Sequence, residues 1–383
     1  MLHLLNDEER RLQQAAREFA DRDIAPQADA MSREGRFPAA LLRRAAELGF
    51  LGMLVPKELG GQGQGNFALA LVLEEINRAC ASVGVTVSVH NSLATSPILR
   101  FGSEALRRKY LPLLARGEQL GAYCLTEPQA GSDAAALVTA AVRDGDTYVL
   151  NGTKLFVTTG AEAGLYIVFA RTDTAHKTRG ITAFVVERAS PGVSVGKVEV
   201  KLGLRASHTV EILLQDCRVP AANVLGEVGE GFKIAMHTLD GGRIGIATQS
   251  LGIAQACLDA AARFALAREQ GGEPVARSQI VEQKLAVMAT EIEAARLLTY
   301  SAARLRDQGQ PCAKEASMAK LFASQTCNRA AREALQVHGT YGYLEDFPAE
   351  RFFRDARVTE LYEGTTEIQK MVIARHVLKQ YAG

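Results

Sequence analysis

Between Asp7 and about Gly117 apolar residues recur three and four positions apart, as in Leu12, Ala15, Ala16 and Phe19 and again in Leu41, Leu42, Ala45 and Leu48. That period predicts helices burying one face. From about Glu118 to Gly231 the pattern changes to short β-branched runs bounded by Gly, Asn, Asp and Pro, at 147–150, 166–169 and 181–186. In the run 209–214, Val210, Ile212 and Leu214 share one face, as in a half-buried strand. Strands and turns at regular spacing, without helical periods between them, predict a small antiparallel barrel or sandwich rather than a parallel doubly wound sheet. After Phe232 the chain returns to Ala- and Leu-rich helical stretches, broken at Gly271-Gly272, at 308–311 and around 339–348. Long helices separated by short breaks predict a bundle. The expected fold is α+β: an N-terminal helical domain over 1–117, a central antiparallel β-barrel domain over 118–231, and a C-terminal four-helix bundle over 232–383. A crevice between such modules is a natural place for a cofactor.

Composition narrows the chemistry. The 383 residues carry a formal net charge of +1, which offers no clustered cationic footprint for nucleic acid or anionic lipid. The start, Met1 to Glu9, turns acidic and helical without the basic and apolar stretches of a secretory signal. No stretch approaches the ~20 apolar residues needed to span a bilayer. The six cysteines are scattered, with no C-x-x-C pair and no histidines at zinc-finger spacing, so they read as reduced thiols of a cytoplasmic protein without a metal site. The Gly-rich run 60–65 follows a turn-like segment and lacks G-x-G-x-x-G spacing, so it reads as a connecting loop.

Three segments carry candidate chemistry. In 361–369, Leu-Tyr-Glu-Gly-Thr-Thr-Glu-Ile-Gln, Glu363 sits in a Gly-containing turn at the start of a terminal helix. The helix N-terminus would favour its ionised form, and burial beside an apolar substrate its protonated form. Alone, the segment also fits a surface glutamate at a helix start. In 123–133, Tyr-Cys-Leu-Thr-Glu-Pro-Gln-Ala-Gly-Ser-Asp, Pro128 and Gly131 force a loop whose N–H groups and hydroxyls can approach an anionic or heteroaromatic ligand. Alone, it is a common turn. The third, 151–160, is a turn leading into a strand that ends in polar residues.

Together these segments resemble the acyl-CoA dehydrogenase family, its short-chain members most closely. The likeness extends over nearly the whole chain, through Leu239-Asp240-Gly241-Gly242-Arg243-Ile244-Gly245-Ile246-Ala247 and Pro348-Ala349-Glu350-Arg351-Phe352-Phe353-Arg354-Asp355-Ala356-Arg357. The resemblance implies FAD as cofactor and α,β-dehydrogenation of an acyl-CoA, with Glu363 as the base. It implies that Tyr123, Leu125, Thr126, Gly131, Ser132, Phe156, Val157 and Thr158 hold the flavin ring and pyrophosphate, with Thr365 and Glu367 completing the site. The family builds each cofactor site across a dimer interface, so Arg268, Gln279, Gln336, Gly339 and Thr340 would reach the ADP half of a neighbouring subunit's FAD. Substrate contacts are implied at Ser132, Asp240, Arg243, Tyr362 and Gly364. An exposed i,i+3 ion pair is the other reading of Asp240 and Arg243. A homotetramer and an electron-transferring flavoprotein as electron acceptor are likewise implied.

Some members of the family carry the base at the position here held by Gly242, which cannot serve, so Glu363 has no rival. Four residues depart from the common pattern. Phe156 stands where Trp is frequent, Gly271 where Phe is, Thr340 where Gly is, and His208 where a small hydroxyl residue is. An acyl-CoA oxidase, a flavin monooxygenase or a non-catalytic assembly protein on the same fold are the alternatives to a dehydrogenase.

Overall fold

The computed structural model describes residues 5–382; residues 1–4, the front of the acidic helical start, lie outside them. The N-terminal part is helical: α1 (Asp7–Phe19), α2 (Ala28–Glu34), α3 (Ala39–Glu47), α4 (Asn66–Ala79), α5 (Ala81–Val89), α6 (Ser96–Phe101) and α7 (Glu104–Ala115). A capping box starts α1: the Glu9 amide donates to the Asn6 side chain and the Asn6 amide to the Glu9 carboxylate. α4 and α5 are buried along nearly their whole length; α5 has no charged residue, and the charges of α4 are paired, Glu74 with Arg296 and Glu75 with Arg17 and Arg78. Between α5 and α6 the turn His90–Thr95 winds as a wholly buried π-helix, a widening of the helix that recurs at functional sites. The run 60–65 is a connecting loop, tied by backbone hydrogen bonds from Gln62, Gly63 and Gln64 to the carbonyls of Gly52, Val55 and Met53.

The sheet comprises β1 (Gly121–Cys124), β2 (Ala140–Asp144), β3 (Thr147–Thr158), β4 (Leu165–Arg171), β5 (Ile181–Glu187), β6 (Val193–Val198), β7 (Thr209–Pro220) and β8 (Val224–Leu225). Its order is β6-β7-β3-β2-β4-β5-β8, with β1 beside β4. Two-residue alternation divides β4 and β5 between two cores. Leu165, Ile167, Phe169, Ile181, Ala183 and Val185 face helical residues such as Ile98, Leu111 and Ile234, while Tyr166, Val168, Phe184 and Val186 face β3 and β7. Val210, Ile212 and Leu214 join the second core, as their alternation predicts.

Two sequence expectations need correction here. The strand path ends on β6 and β8, which do not pair, so the sheet is not a closed barrel. β1 also runs parallel to β4, so the sheet is not wholly antiparallel. The reason lies at the β5 edge, where β8 contributes only two residues and the following helix then packs directly on the strand. A Cβ on Gly231 would lie 2.6 Å from the Thr182 carbonyl carbon. The helix thus packs on the face of β5, with Ile234 and Ala235 in the core of Ile181, Ala183 and Val185, and the strand path stops at the two-residue β8.

That helix is α8 (Gly231–Ala267), 37 residues long and about 55 Å from end to end. A hairpin of β9 (Glu269–Gln270) and β10 (Glu273–Pro274) follows, with Gly271 at φ +65° and Gly272 at φ +88° as its two-residue loop. Left-handed φ at both loop positions suits glycine, which accounts for Gly271 where the family often has Phe. α9 (Gln279–Asp307), α10 (Ala313–His338), α11 (Ala349–Arg357) and α12 (Thr366–Tyr381) complete the chain, with α10 packed on α8, α9, α11 and α12. Among the described residues no helix is long and apolar enough to cross a membrane and no His, Cys, Asp and Glu cluster could hold a metal ion. All six cysteines are buried and unpaired.

The terminal helical parts are joined at the start of α4. The cap residue there is Gly65, and the amides of Asn66 and Phe67 donate to the Asp307 carboxylate at 2.6 and 2.9 Å. Asp307, at the end of α9, thus serves as an N-cap supplied from a distant segment. Asp307→Ala is expected to cost about 1 kcal/mol, as for a lost N-cap, and to lower the melting temperature by roughly 2 °C in a thermal scan. An unchanged melting temperature would mean that water replaces this exposed carboxylate without loss.

Candidate active site

The turn between α11 and α12 carries the first candidate. Glu363 and Gly364 both adopt left-handed backbone, at φ +51° and +92°, a region L-residues other than glycine seldom enter. Thr365 then caps α12 by accepting a hydrogen bond from the Ile368 amide. The turn aims the Glu363 carboxylate inward, where Oε2 is buried without a hydrogen-bond partner. Burial raises its pKa from 4.5 to about 7, against the opposing charges of Lys320 and Arg243. Burial thus outweighs the forces favouring ionisation, and two side-chain cations are what oppose it.

Gly242 on α8 explains how the carboxylate fits. A Cβ at that position would lie 2.0 Å from Glu363 Oε2 and 2.9 Å from Leu93 Cδ2, in the π-helical turn. A side chain growing from 242 would therefore point at the place Glu363 now fills, so the two base positions used within the family converge on one point. At the next position Arg243 pairs with Asp240, three residues back, at 2.6 Å. The pair is not the exposed one that its spacing also allowed: Arg243 is only 6% exposed, and its Nε is buried without a partner. Both line a cleft of about 390 Å³ with Met236, His237, Ala313, Val372, Arg375 and His376. On the other side, the Tyr362 hydroxyl donates to Gln249 of α8.

The loop after β1 and the end of β3 form a second wall. Tyr123 packs edge-on against Phe169, and its hydroxyl is buried without a partner. Its phenol pKa is pushed well up by burial first and by the Glu363 charge second, which puts β1 beside the base. The loop is pinned from within: buried Lys154 donates to Glu127 at 2.6 Å and to the Leu125 carbonyl at 3.3 Å. The Glu127 carboxylate also accepts from the Val138 and Thr139 amides and from Gln129. The Leu155 amide donates to the Thr126 carbonyl, tying loop to strand. A bulge in β3 between Lys154 and Val157 then turns Phe156 outward, 63% exposed at φ +55°. Gly131 and Ser132 are exposed, and no atom lies within 4 Å of a Cβ built on Gly131. The Leu125 and Val157 side chains are buried, leaving mainly their backbone to meet a ligand. Thr158 and Thr365 are half-buried and Glu367 is exposed.

This wall fits the isoalloxazine of FAD. An exposed aromatic on a bulge supplies a ring face, the orphaned Tyr123 hydroxyl and the backbone at 125–126 supply polar partners, and the open loop at Gly131 leaves room for close approach. The residues expected at the ADP half are not part of it. Arg268, Gln279, Gln336, Gly339 and Thr340 are all exposed, and Arg268 stacks over Tyr341 at 5.3 Å. Arg268 stands 26 residues beyond Gly242, about 39 Å of helix. One chain does not bring the two groups together. His208 sits at the end of β3, where its carbonyl accepts from the Thr159 amide, and its ring joins Gly35 and Phe37 to Glu162.

The candidates taken from sequence omit Lys320, Gln369, Gln249 and the Glu127–Lys154 pair. Lys320 carried a readable signal: it lies on the stripe of α10 formed by Ala316, Ala319, Ala323 and Cys327, all buried, and a lone lysine on an apolar stripe needs a reason.

The sequence matches the family descriptions for the acyl-CoA dehydrogenase N-terminal domain over residues 6–118, middle domain over 122–217 and C-terminal domain over 229–378. It is 49% identical to the mitochondrial short-chain specific acyl-CoA dehydrogenase of Mus musculus, over 97% of this chain and 90% of that protein. Among solved structures it is similar to butyryl-CoA dehydrogenase from Megasphaera elsdenii (TM-score 0.96, 43% identity, 98% and 99% of the two chains). It is also similar to a chain in the structure of the electron transferring flavoprotein of Acidaminococcus fermentans (TM-score 0.97, 44% identity, 98% of each chain). Matched end to end by the family's three domains, and walled for a flavin beside a buried carboxylate, the chain belongs to the acyl-CoA dehydrogenase family of FAD-dependent enzymes.

Proposed function

We propose that the protein oxidises a short- or medium-chain acyl-CoA to the trans-2-enoyl-CoA, with Glu363 as the general base. The observation that carries this reading is the Glu363 carboxylate, whose Oε2 is buried in the site without a hydrogen-bond partner, an environment that raises its pKa to about 7. An exposed glutamate is a weak base, whereas one poised near neutrality can take and release a proton at working pH. The α-proton passes to Glu363, and the backbone N–H of the same residue steadies the developing enolate oxygen. Bound FAD supplies the acceptor for the hydride that leaves the β-carbon, so the loss of one proton and one hydride leaves the double bond. Asp240 and Arg243 at the cleft hold the CoA arm, with Ser132, Tyr362 and Gly364 beside the thioester. Closure of the site around the acyl chain excludes water and aligns the reacting atoms.

Chain length follows from α8. Gln249 is seven residues beyond Gly242, hence on the same face about 10 Å further along. Buried Gln249 and the Tyr362 hydroxyl bonded to it form a polar stop that a butyryl chain never reaches and a long alkyl chain would have to displace. The chain works as a cytoplasmic homotetramer divided at about 117 and 231. Arg268, Gln279, Gln336, Gly339 and Thr340, exposed and remote from Glu363, complete the neighbouring subunit's FAD site. Electrons leave to an electron-transferring flavoprotein, a reading supported by the likeness to the Acidaminococcus fermentans chain.

The test is anaerobic bleaching of the bound flavin by acyl-CoA thioesters from C4 to C16, including branched members. Butyryl-CoA should bleach fastest and palmitoyl-CoA slowest. Faster bleaching by the long thioester would remove the polar stop from the account, and no bleaching by any would remove dehydrogenation. Slow reoxidation in air after bleaching separates a dehydrogenase from an oxidase.

A further inference from the structure

We propose that Lys320 is a positioning residue for the base: its ammonium grips the strained Glu363-Gly364 turn from behind and holds the carboxylate in the ionised form. The inference rests on Glu363 being the base.

Two observations outside the reacting groups support it. The Lys320 side chain is wholly buried, and Nζ donates to the Gly364 carbonyl at 2.8 Å. Gln369 of α12 donates to the same carbonyl at 2.8 Å and to the Glu363 carbonyl at 3.3 Å. Two consecutive left-handed residues are thus fastened by donors from two helices, which is how a rarely populated backbone persists. Gln369 is neutral and shares the mechanical task. Lys320 differs in bringing a charge into the interior, where among the described residues it forms no direct ion pair. A buried ammonium without a carboxylate in contact is costly unless its field serves a group nearby.

The surroundings identify that group. Glu363 is faced by Lys320 from α10, by Arg243 from α8 with Asp240 as its ion-pair partner, by Tyr123 from β1 and by the adjoining Tyr362. Lys320 in turn faces Glu363, Glu360 and Glu367, with Arg243 as the opposing cation. Burial lowers its own pKa to about 8, so it stays mostly charged at neutral pH. Arg243 is already engaged by Asp240, which leaves Lys320 as the cation whose field is not spent on a contact partner. Removing its charge lets burial act on Glu363 unopposed, so more of the base is protonated at a given pH.

The test uses the FAD-loaded enzyme and its pH profile with butyryl-CoA. Lys320→Gln keeps a hydrogen-bond donor and removes the charge, Lys320→Arg keeps the charge, and Gln369→Leu removes a neutral donor. In K320Q the acid limb of kcat should move up by about one pH unit, with kcat at pH 7 down roughly fivefold and KM and FAD content little changed. K320R should return the limb to its original place. Q369L should lower kcat without moving it. An unmoved limb in K320Q overturns the proposal. Should K320Q not fold, a limb displaced in K320R by as much as a full unit overturns it instead, and an unmoved one supports it. Glu363→Gln separates the layers: full turnover in that variant removes the base itself, whereas an inactive E363Q with an unmoved K320Q limb removes only the role of Lys320.

Discussion

Glu363→Gln should slow flavin reduction by butyryl-CoA by about 10² to 10⁴-fold, the usual range for a lost general base, while FAD content and the absorbance of the oxidised flavin stay as they were. Glutamine matches the shape of glutamate but cannot accept the α-proton. Rapid-mixing measurements read the loss directly, and a variant that reduces its flavin at the original rate would show that the proton leaves by another route. The same substitution should change stability in the opposite sense. Folding raises the Glu363 pKa from 4.5 to about 7, so the buried carboxylate favours the folded state only while protonated. The penalty for burying the charge is absent below the unfolded value, grows as pH rises from 4.5 to about 7 and is fully present above it. Glutamine escapes it, so E363Q should melt higher than the parent at pH 8, by an amount corresponding to up to about 3 kcal/mol, and show little difference at pH 5. An enzyme inactivated and stabilised by one atom exchange is the signature of a residue kept for chemistry.

Gly242→Ala should cost about 10²-fold in kcat, the effect of moving a reacting group by about 1 Å. The added methyl would lie 2.0 Å from Glu363 Oε2 and 2.9 Å from Leu93 Cδ2. Glu363 can swing away because the clash is with the end of its side chain, so the fold survives and the base is displaced. Alanine is the better helix former by about 1 kcal/mol in an open helix, which offsets part of the crowding. Activity and melting temperature should therefore separate, with turnover falling steeply and stability moving little. Near-normal kcat in G242A would mean that the carboxylate does not need the place it occupies.

The order of helical, β and helical parts is legible because periodicity reports which residues face a core, and residues 165–171 and 181–187 do so on both faces. The open edge of the sheet is not legible. It depends on β6 and β8 finding no partner in each other, and nothing in the two residues of β8 announces that the path stops there. The turn at Glu363 is readable from Tyr-Glu-Gly-Thr, since glycine and a hydroxyl cap mark a reversal into a helix. What tunes that glutamate is not, because Lys320 and Arg243 come from α10 and α8 and only packing brings them together. Asp240 and Arg243 show the same division. Their spacing forecasts a pair, yet that Arg243 is buried while Asp240 is only half-buried depends on packing against other segments, which the spacing does not report. Gly271 reads as a departure from a family pattern until the hairpin shows two consecutive left-handed residues that favour glycine.

α8 gives the protein a fixed ruler. Gly242, beneath the carboxylate, and Arg268, at the aromatic cluster around Tyr341, are spaced by one uninterrupted screw, so inserting or deleting a single residue between them would rotate one end against the other by about 100° as well as shift it by 1.5 Å. Length variation among relatives should therefore collect in the hairpin at Gly271-Gly272 and the break at 308–310, while the interval from 242 to 268 keeps its count. A transplanted acyl pocket would carry over only with the phase of that helix preserved.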